Sequence, residues 1–305
     1  MRLIVTGRNG QVARSLVEHA RLVDRLVVVP VGRPELDLAA PGDVTALFRR
    51  HAPDVVVSAA AHTAVDQAES EPDIAFATNR DGAGAVAAAA AALGVPVVHL
   101  STDYVFDGSK ATPYTEDDPT GPVSVYGRSK LAGEQAVALA QPDHAILRTA
   151  WVYAAEGKNF VRTMLRLAQG RDEIGVVADQ HGAPTYAPDI AEAVIGVARN
   201  LIARPSDPTL RGIFHLSGAG ETTWAGFAAE IFSRSAALGG PHARVRAIAT
   251  ADYPTPAARP ANSRLDCGRL AKAHGIIMPD WREALGRCMD HLARGSVLTG
   301  GGQAA

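Results

Sequence analysis

Short apolar runs alternate along the chain with longer segments in which apolar residues recur at helical spacing. The runs are RLIVT at 2–6, RLVVVPV at 25–31, DVVVSA at 54–59, VPVVHLS at 95–101 and HAILRTA at 144–150. The segments with helical spacing lie near 11–22, 42–51, 72–93 and 127–140. Alternating strands and helices predict a parallel sheet with helices on both faces. The expected fold class is therefore α/β, with residues 1–150 forming a doubly wound domain.

The second half of the chain, residues 151–305, is patterned less regularly. Proline and glycine interrupt QHGAPTYAPD at 180–189 and ADYPTPAARPANS at 251–263. Helices are still expected, at 159–169, 188–203 and 223–237. This half is predicted to form mainly a smaller, loop-rich lobe, with some segments returning to the first domain. The last ten residues, SVLTGGGQAA, have no periodicity and are expected to be mobile.

Composition and charge narrow the possible partners. Hydrophobic residues make up 47% of the chain and charged residues 20%, which indicates a soluble globular protein. The formal net charge is -2 and the basic residues are scattered, so neither nucleic acid nor a membrane surface is an expected partner. The opening MRLIVTG predicts a strand and leaves no room for a signal peptide. With Cys267 and Cys288 as the two cysteines, a reducing cytoplasm is the expected compartment.

A glycine turn follows the first predicted strand. In TGRNGQVARSLV, Gly7 and Gly10 bracket a tight turn and Ala13 lies on the first turn of a helix. Small residues there let a pyrophosphate approach backbone N–H groups at the positive end of the helix dipole. The spacing G-x-x-G-x-x-A departs from the G-x-G-x-x-G fingerprint, so an ordinary strand-to-helix turn fits it equally well. Its place at the first β-α turn favours a dinucleotide.

The end of the second strand bears on the choice of dinucleotide. The stretch VVVPVGRPELDL ends its strand without a carboxylate, and Arg33 follows. An arginine here suits the 2'-phosphate of NADPH, whereas an acidic residue would bind a free ribose hydroxyl. Asp37 and Leu38 come next and are expected to flank the adenine. The alternative is a plain surface arginine.

Polar groups follow the fourth strand. HLSTDYVFDG places Thr102 at the carboxyl edge of the sheet, where its hydroxyl can bond a substrate carbonyl and Tyr104 can line the cofactor. VSVYGRSKLAGEQ places Tyr126 and Lys130 four residues apart on one helical face. An ammonium group lowers the pKa of a nearby phenol, which then exchanges a proton more readily. The residues alone also allow a capped turn at Thr102, an exposed tyrosine and a solvated lysine.

Taken together, these groups stand in the order and spacing of an extended short-chain dehydrogenase/reductase. The resemblance is closer to the dTDP-4-dehydrorhamnose reductase family and spans nearly the whole chain. Its motifs are AAAHTAVDQAES at 59–70, STDYVFDG at 101–108, VYGRSKLAGE at 125–134, RTAWVYA at 148–154, DQHGAPT at 179–185 and YPTPAARPANSRL at 253–265. Six motifs in register are far more specific than any one of them.

The resemblance implies a Rossmann-type fold with a substrate-binding lobe and a definite reaction. The C4 ketone of dTDP-6-deoxy-L-lyxo-4-hexulose would be reduced to dTDP-L-rhamnose with NADPH, or less readily NADH. The implied catalytic residues are Tyr126 as proton donor, Lys130 lowering its pKa and holding the nicotinamide ribose, and Thr102. The implied cofactor-binding residues are Gly7, Asn9, Gly10, Gln11, Val12, Arg33, Asp37, Leu38, Ala59, Ala60, Ala61, Thr63, Tyr104, Tyr126 and Lys130. The implied substrate-binding residues are Thr102, Asp103, Val105, Tyr126, Trp151, Arg259 and Asn262.

Other expectations concern metals, assembly and rival functions. Asn79 matches an asparagine that such enzymes carry, although a helix-surface amide fits it too. Some relatives form dimers bridged by a metal through a glutamate, but Pro188 stands at that position, so no metal site is expected. The chain is expected to be a monomer or a homodimer. The rivals are another nucleotide-sugar reductase or epimerase, and a non-catalytic regulatory subunit resembling that of methionine adenosyltransferase.

Overall fold

The computed structural model describes residues 1–295, which form twelve strands and eleven α-helices. The strands are β1 (Arg2–Thr6), β2 (Val27–Val31), β3 (Val55–Ser58), β4 (Val97–Thr102), β5 (His144–Thr149), β6 (Val152–Tyr153), β7 (Glu173–Val177), β8 (His181–Gly182), β9 (Thr185–Tyr186), β10 (Gly212–His215), β11 (Thr222–Thr223) and β12 (Arg244–Ile248). The helices are α1 (Gln11–Ala20), α2 (Val44–Arg49), α3 (Val65–Ser70), α4 (Pro72–Phe76), α5 (Ala83–Leu93), α6 (Val125–Ala140), α7 (Phe160–Ala168), α8 (Ala187–Ala203), α9 (Trp224–Ala237), α10 (Gly268–His274) and α11 (Trp281–Arg294). The mobility predicted for 296–305 lies outside the described residues.

The main sheet has six parallel strands in the order β10-β5-β4-β3-β1-β2. Every residue of β3 and β4 is buried, which explains why these strands are apolar runs rather than alternating ones. The chain moves to one side of β1 to form β2 and to the other side to form β3. This reversal opens a crevice at the carboxyl ends of the strands, where ligands bind in such sheets. The α/β class and the doubly wound parallel sheet are confirmed.

Helices cover both faces of this sheet. One face packs against α1 and α8 through a cluster that includes Leu16, Ile190 and Val194. The other face packs against α2, α5 and α6 through a cluster that includes Phe48 and Val86. Burial of these apolar side chains is the dominant favourable contribution to folding.

A separate hydrophobic cluster, away from the main sheet, joins α7, α9, α11 and the parallel pair of β7 and β12. Tyr153, Phe227 and Trp281 are fully buried within it. Two elements from the second half of the chain lie instead with the main sheet, since β10 pairs with β5 and α8 packs against α1. The division into domains at residue 150 stays a prediction.

Two helix boundaries differ from the sequence prediction for identifiable reasons. The segment predicted as one helix at 72–93 is divided into α4, a π-helical turn at Ala77–Gly82, and α5. Helix α6 begins at Val125 rather than 127, because the Ser124 side chain caps its first turn by accepting from the Gly127 N–H. Among residues 1–295, no helix combines the length and the apolar character needed to cross a membrane.

Candidate active site

Loops from the carboxyl ends of β1, β2, β3 and β4 meet at one edge of the sheet. The first carries the predicted cofactor residues Gly7, Asn9, Gly10, Gln11 and Val12. Gly7 has a φ of +93°, which favours glycine, and its N–H donates to the Val31 carbonyl at 2.6 Å. A Cβ on Gly10 would meet nothing within 4 Å, so space is open above the start of α1.

The start of α1 fits a bound diphosphate. Gly10 occupies the N-cap position of α1, so no capping side chain accepts a hydrogen bond from the N–H groups of the first turn. Asn9 and Gly10 are exposed beside them. From the second half of the chain, the Asn159 amide donates to the Gln11 side-chain oxygen at 2.9 Å. These features suit the pyrophosphate of a dinucleotide cofactor.

The loop after β3 contains the predicted cofactor residues Ala59, Ala60, Ala61 and Thr63. The Thr6 hydroxyl accepts from the Ala59 and Ala60 N–H groups, each at 3.0 Å. These bonds hold the loop against the end of β1. The loop also lies close to the glycine turn, since a Cβ added to Gly7 would lie 3.4 Å from the Ala60 Cβ. Sequence reasoning missed Thr6, whose signal was a lone hydroxyl at the end of an apolar strand.

Asn79 fastens the same loop to α6. Its amide oxygen accepts from the His62 N–H at 2.8 Å, and its nitrogen donates to the His62 carbonyl at 3.1 Å and to Ser129 Oγ at 2.9 Å. The side chain is 1% exposed, so the helix-surface alternative is wrong. Asn79 instead positions the cofactor loop relative to the catalytic helix.

The loop after β2 carries Arg33, Asp37 and Leu38. Arg33 is exposed, whereas the Leu38 side chain is buried. Asp37 accepts from the Ala39 N–H at 3.1 Å, which shapes the turn. The acidic neighbour Glu35 is paired with Arg8 at 2.7 Å, so its charge is offset where a 2'-phosphate would approach.

Thr102 ends β4, and Asp103 follows it directly. The Thr102 hydroxyl donates to Asp103 Oδ1 at 2.9 Å, and Asp103 Oδ2 is buried with no hydrogen-bond partner among the described residues. Burial raises the pKa of Asp103 to about 6, against the opposing effects of the nearby Ser263 and Thr102 hydroxyl groups. A buried oxygen without a partner beside the predicted catalytic threonine is an acceptor that the described protein leaves unsatisfied.

Tyr126 lies in the first turn of α6, opposite the end of β4. It is 9% exposed, and the Tyr104 ring packs against it edge-on with centroids 5.5 Å apart. Burial raises the pKa of Tyr126 well above its usual value, and the neighbouring Thr102 hydroxyl opposes this shift. The structure therefore brings Thr102 and Tyr126 together, as the sequence predicted.

Lys130 lies one helical turn beyond Tyr126 and is held by β4. The Lys130 ammonium group donates to the Leu100 carbonyl at 2.6 Å and lies 3.4 Å from His99 Nε2. Its predicted lowering of the pKa of Tyr126 stays a prediction. Because an ammonium group has three N–H donors, one remains for a ligand.

Trp151 follows β5 and adopts an unusual backbone conformation. Its φ is +47°, which costs a bulky residue about 1–2 kcal/mol. The indole stacks on Trp224, with centroids 3.6 Å apart and an interplanar angle of 11°. A Cβ on Gly182 would lie 2.5 Å from the ring, so the glycine is needed for this packing.

Arg259 is tied to the opposite side of the cleft. Its guanidinium donates to both Asp66 oxygens, at 3.0 and 2.8 Å, and also bonds Thr255 and the Ala257 carbonyl. The Ala257 N–H donates to Asp66 as well, at 3.2 Å. Asp66 on α3 therefore fastens the segment that carries Arg259 to this helix.

The side chains of two predicted substrate residues, Val105 and Asn262, are occupied within the protein. The Val105 side chain is fully buried against Phe106 and Tyr114, so it offers no surface to a sugar. Asn262 donates to the carbonyls of Lys110 and Thr112 and accepts two bonds from Arg264. An asparagine side chain has two donors and two acceptor positions, and all four are used here. The role of both residues in substrate binding stays a prediction.

A buried ion pair beneath the catalytic residues was missed from the sequence. Glu134 on α6 and Arg148 on β5 are each 3% exposed and paired at 2.7 Å. The signal was present in YGRSKLAGE, where Tyr126, Lys130 and Glu134 recur every four residues along one helical face. Among residues 1–295, no group of three or more His, Cys, Asp or Glu side chains could hold a metal ion. The expected absence of a metal stays a prediction.

Comparisons with known proteins bear on this geometry. The family model described as "RmlD substrate binding domain" matches residues 1–294. A dTDP-4-dehydrorhamnose reductase of Sinorhizobium fredii is 57% identical, over 94% of this chain and 96% of that protein.

Two solved structures agree with this. The crystal structure of a dTDP-4-dehydrorhamnose reductase from Clostridium acetobutylicum has a TM-score of 0.87 and 38% identity, covering 96% of this chain and 99% of that one. The Bacillus anthracis dTDP-4-dehydrorhamnose reductase, solved in complex with NADP, has a TM-score of 0.86 and 36% identity, covering 95% of this chain and 99% of that one. Because the family model and these identities extend over nearly the entire chain, the protein belongs to the dTDP-4-dehydrorhamnose reductase family.

Proposed function

We propose that this protein reduces the C4 ketone of dTDP-6-deoxy-L-lyxo-4-hexulose to give dTDP-L-rhamnose. The observation that carries the proposal is that Thr102 lies at Tyr126 and ends the strand to which Lys130 is bonded, at the sheet edge where α1 begins without a side-chain cap. Relatives named dTDP-4-dehydrorhamnose reductase match nearly the whole chain, and one of them was solved in complex with NADP. NADPH, when bound, supplies the hydride.

The residues of this chain handle the proton and the ketone oxygen. Thr102 holds the oxygen through its hydroxyl, and Tyr126 gives its phenolic proton to the alkoxide that develops there. The raised pKa of Tyr126 keeps this proton in place until the oxygen becomes basic. Lys130 uses its remaining N–H to hold the ribose of the cofactor. Burial excludes water from the group that donates the proton, since Tyr126 is 9% exposed.

The same geometry supports a preference for NADPH over NADH. Arg33 is exposed where the 2'-phosphate lies in this fold, and the nearby acid Glu35 is paired with Arg8. On the sugar side, the unpartnered Asp103 Oδ2 accepts from a hydroxyl group of the hexose. Trp151 contacts the deoxysugar with its indole, and the strain at its φ of +47° is consistent with a functional position.

One assay tests the function. The protein is mixed with NADPH and the dTDP-4-keto-6-deoxy sugar, and the loss of reduced nicotinamide absorbance is followed. We expect Tyr126→Phe to lose about a hundredfold to ten-thousandfold in turnover, the range for one positioned acid, while keeping its fold and NADPH binding. Tyr153→Phe is the matched control, because it deletes a phenolic oxygen from a fully buried ring that has no assigned role in the site.

Each outcome has a definite meaning. If the folded Tyr126→Phe protein turns over at nearly the wild-type rate, the proton comes from elsewhere and the mechanism is wrong. If the wild-type protein consumes no NADPH with this sugar, the substrate is wrong. Tightly retained NAD would favour an epimerase, and a folded protein that binds but never turns over would favour a regulatory subunit. Nucleotide-sugar dehydratases carry two acidic residues after the threonine. In this chain Asp103 is followed by Tyr104, which argues against dehydration of the sugar.

A further inference from the structure

The Glu134 carboxylate is the most heavily bonded buried acid near the catalytic residues. It accepts from Ser101 Oγ at 2.5 Å, from Arg148 Nε at 2.9 Å and from Arg148 Nη2 at 2.7 Å. Ser101 on β4 and Arg148 on β5 are register partners in the sheet. One carboxylate therefore ties α6 to two neighbouring strands. Removing one partner of such a pair leaves an uncompensated buried charge, so its presence calls for an explanation.

Glu134 also lies one helical turn beyond Lys130, on the same face of α6. Lys130 is 3% exposed, and its ammonium group donates to the Leu100 carbonyl oxygen at 2.6 Å and lies 3.4 Å from His99 Nε2. His99 Nε2 accepts in this arrangement, so His99 Nδ1 carries the proton and donates to Ser58 Oγ at 3.0 Å. Burial lowers the pKa of His99, which keeps the imidazole neutral.

We propose that Glu134 is a positioning residue whose carboxylate keeps the Lys130 ammonium group charged and aimed at the cofactor side of the cleft. This inference rests on the proposed function for the role of Lys130, although the electrostatic claim concerns the free protein. Glu134 touches neither substrate nor cofactor. It acts through Lys130 and through the attachment of α6 to the sheet.

The charges around Lys130 favour this reading. The titratable and charged side chains on the elements packed around it are Tyr126, Arg128 and Glu134 on α6, His99 on β4, His144 and Arg148 on β5, Asp103 and Tyr104 in the turn after β4, Asp66 and Glu69 on α3, Asp73 on α4, and Arg80 and Asp81 in the π-helical turn. Arg80 and Asp81 are paired with each other at the surface. Burial lowers the pKa of Lys130 to about 8, and Glu134 opposes that shift by raising it. Without the carboxylate, burial would act unopposed.

The two partners of the ion pair should affect Lys130 in opposite directions. Glu134→Gln removes the negative charge and leaves the Arg148 cation, so the Lys130 titration midpoint should fall by about one pH unit. Arg148→Met removes the neutralising cation, so the midpoint should stay or rise. In the double variant Glu134→Gln/Arg148→Met, no buried charge is left unpaired, and the midpoint should lie between those of the two single variants. A purely structural ion pair would make both single variants alike.

The measurement is direct because the chain has four lysines, Lys110, Lys130, Lys158 and Lys272. Lysine labelled with ¹³C or ¹⁵N is titrated by NMR in the cofactor-free protein, and Lys130→Arg assigns its signal. The alkaline limb of the kcat–pH profile should move with the same midpoint. Glu134→Asp, which keeps the charge, should have a Lys130 midpoint close to that of the wild type.

Several outcomes would overturn the proposal. One is a Lys130 midpoint in Glu134→Gln within about 0.3 pH unit of wild type, well below the expected shift. Another is a fall of equal size in Arg148→Met. If Glu134→Gln does not fold, the double variant is compared with Arg148→Met, from which it differs by the Glu134 charge alone: a double-variant midpoint at or above that of Arg148→Met would refute the role. A wild-type protein without reductase activity would contradict the proposed function, while the NMR titration would still test Glu134.

Discussion

Replacing Trp151 with alanine should separate its contact with the sugar from its packing. The stacked partner is Trp224, at 3.6 Å between centroids, and aromatic pairs contribute about 0.5–1.5 kcal/mol beyond the area they bury. The half-buried indole adds roughly half the 1.5–3 kcal/mol of a fully buried large side chain. We therefore expect Trp151→Ala to lower the free energy of unfolding by about 1.5–3 kcal/mol.

The sugar contact adds a separate loss. An aromatic face against the C6 methyl and C–H groups should contribute about 1–3 kcal/mol, or roughly fivefold to 150-fold in the Kd of the nucleotide sugar. The NADPH Kd should change by less than about twofold, since the indole lies on the sugar side. Both constants can be measured by isothermal titration calorimetry, with urea unfolding giving stability.

Trp224→Ala is the matched control. It removes the same stacking contact, and also the contact with Phe160 at 4.6 Å, but it deletes no group assigned to the sugar. Its stability loss should match or exceed that of Trp151→Ala, while sugar binding should weaken by less than about threefold. If the two variants weaken sugar binding equally, or if NADPH binding falls in step, the role of Trp151 is to support the lobe.

Three further predictions concern cofactor choice, pH and helix placement. Arg33→Ala should reduce the preference for NADPH over NADH by about tenfold to a hundredfold in kcat/KM, and an unchanged ratio would remove Arg33 from the 2'-phosphate site. Because the folded pKa of Asp103 is raised to about 6, its protonated form adds stability that is lost as pH rises from about 4 to 6. Asp103→Asn should therefore be more stable than wild type by about 1–3 kcal/mol at pH 8 and not at pH 3, and thermal unfolding at both values checks the sign. Gly133→Ala would place a Cβ 2.1 Å from the Asn79 carbonyl oxygen, so it should cost at least about 1–3 kcal/mol in urea unfolding, and a neutral effect would show that α6 can shift freely.

The sequence was sufficient for the features that depend on local pattern. The strands are continuous β-branched runs because both of their faces are buried, and Ser124 places the start of α6 within two residues of the prediction. Thr102 and Tyr126 follow from those elements, since the carboxyl ends of parallel strands share one edge. Thr102 and Tyr126 could therefore be placed near each other from the pattern alone.

Contacts between distant segments could not be read in the same way. Asn262 stands in a family motif, yet its amide is consumed by two carbonyls about 150 residues earlier in the chain. Arg259 is held by Asp66, and nothing in either local sequence announces that pairing. Val105 follows a catalytic strand but turns inward against Phe106. Residue type and spacing predict which groups are present, whereas their hydrogen-bond partners depend on loops whose paths the pattern does not determine.

Helix α6 shows how the fold places the chemistry. Gly127 allows the helix to approach the Tyr104 carbonyl so closely that a Cβ would lie 2.2 Å from its oxygen, and Gly133 allows a similar approach to the π-helical turn. Between these two close contacts lies Lys130, and Glu134 follows the second and bonds two strands. The helix is thus fixed at three points along the face that carries the proton donor. Because a displacement of about 1 Å can cost a hundredfold in rate, packing that fixes α6 belongs to the catalytic apparatus as much as the phenol does.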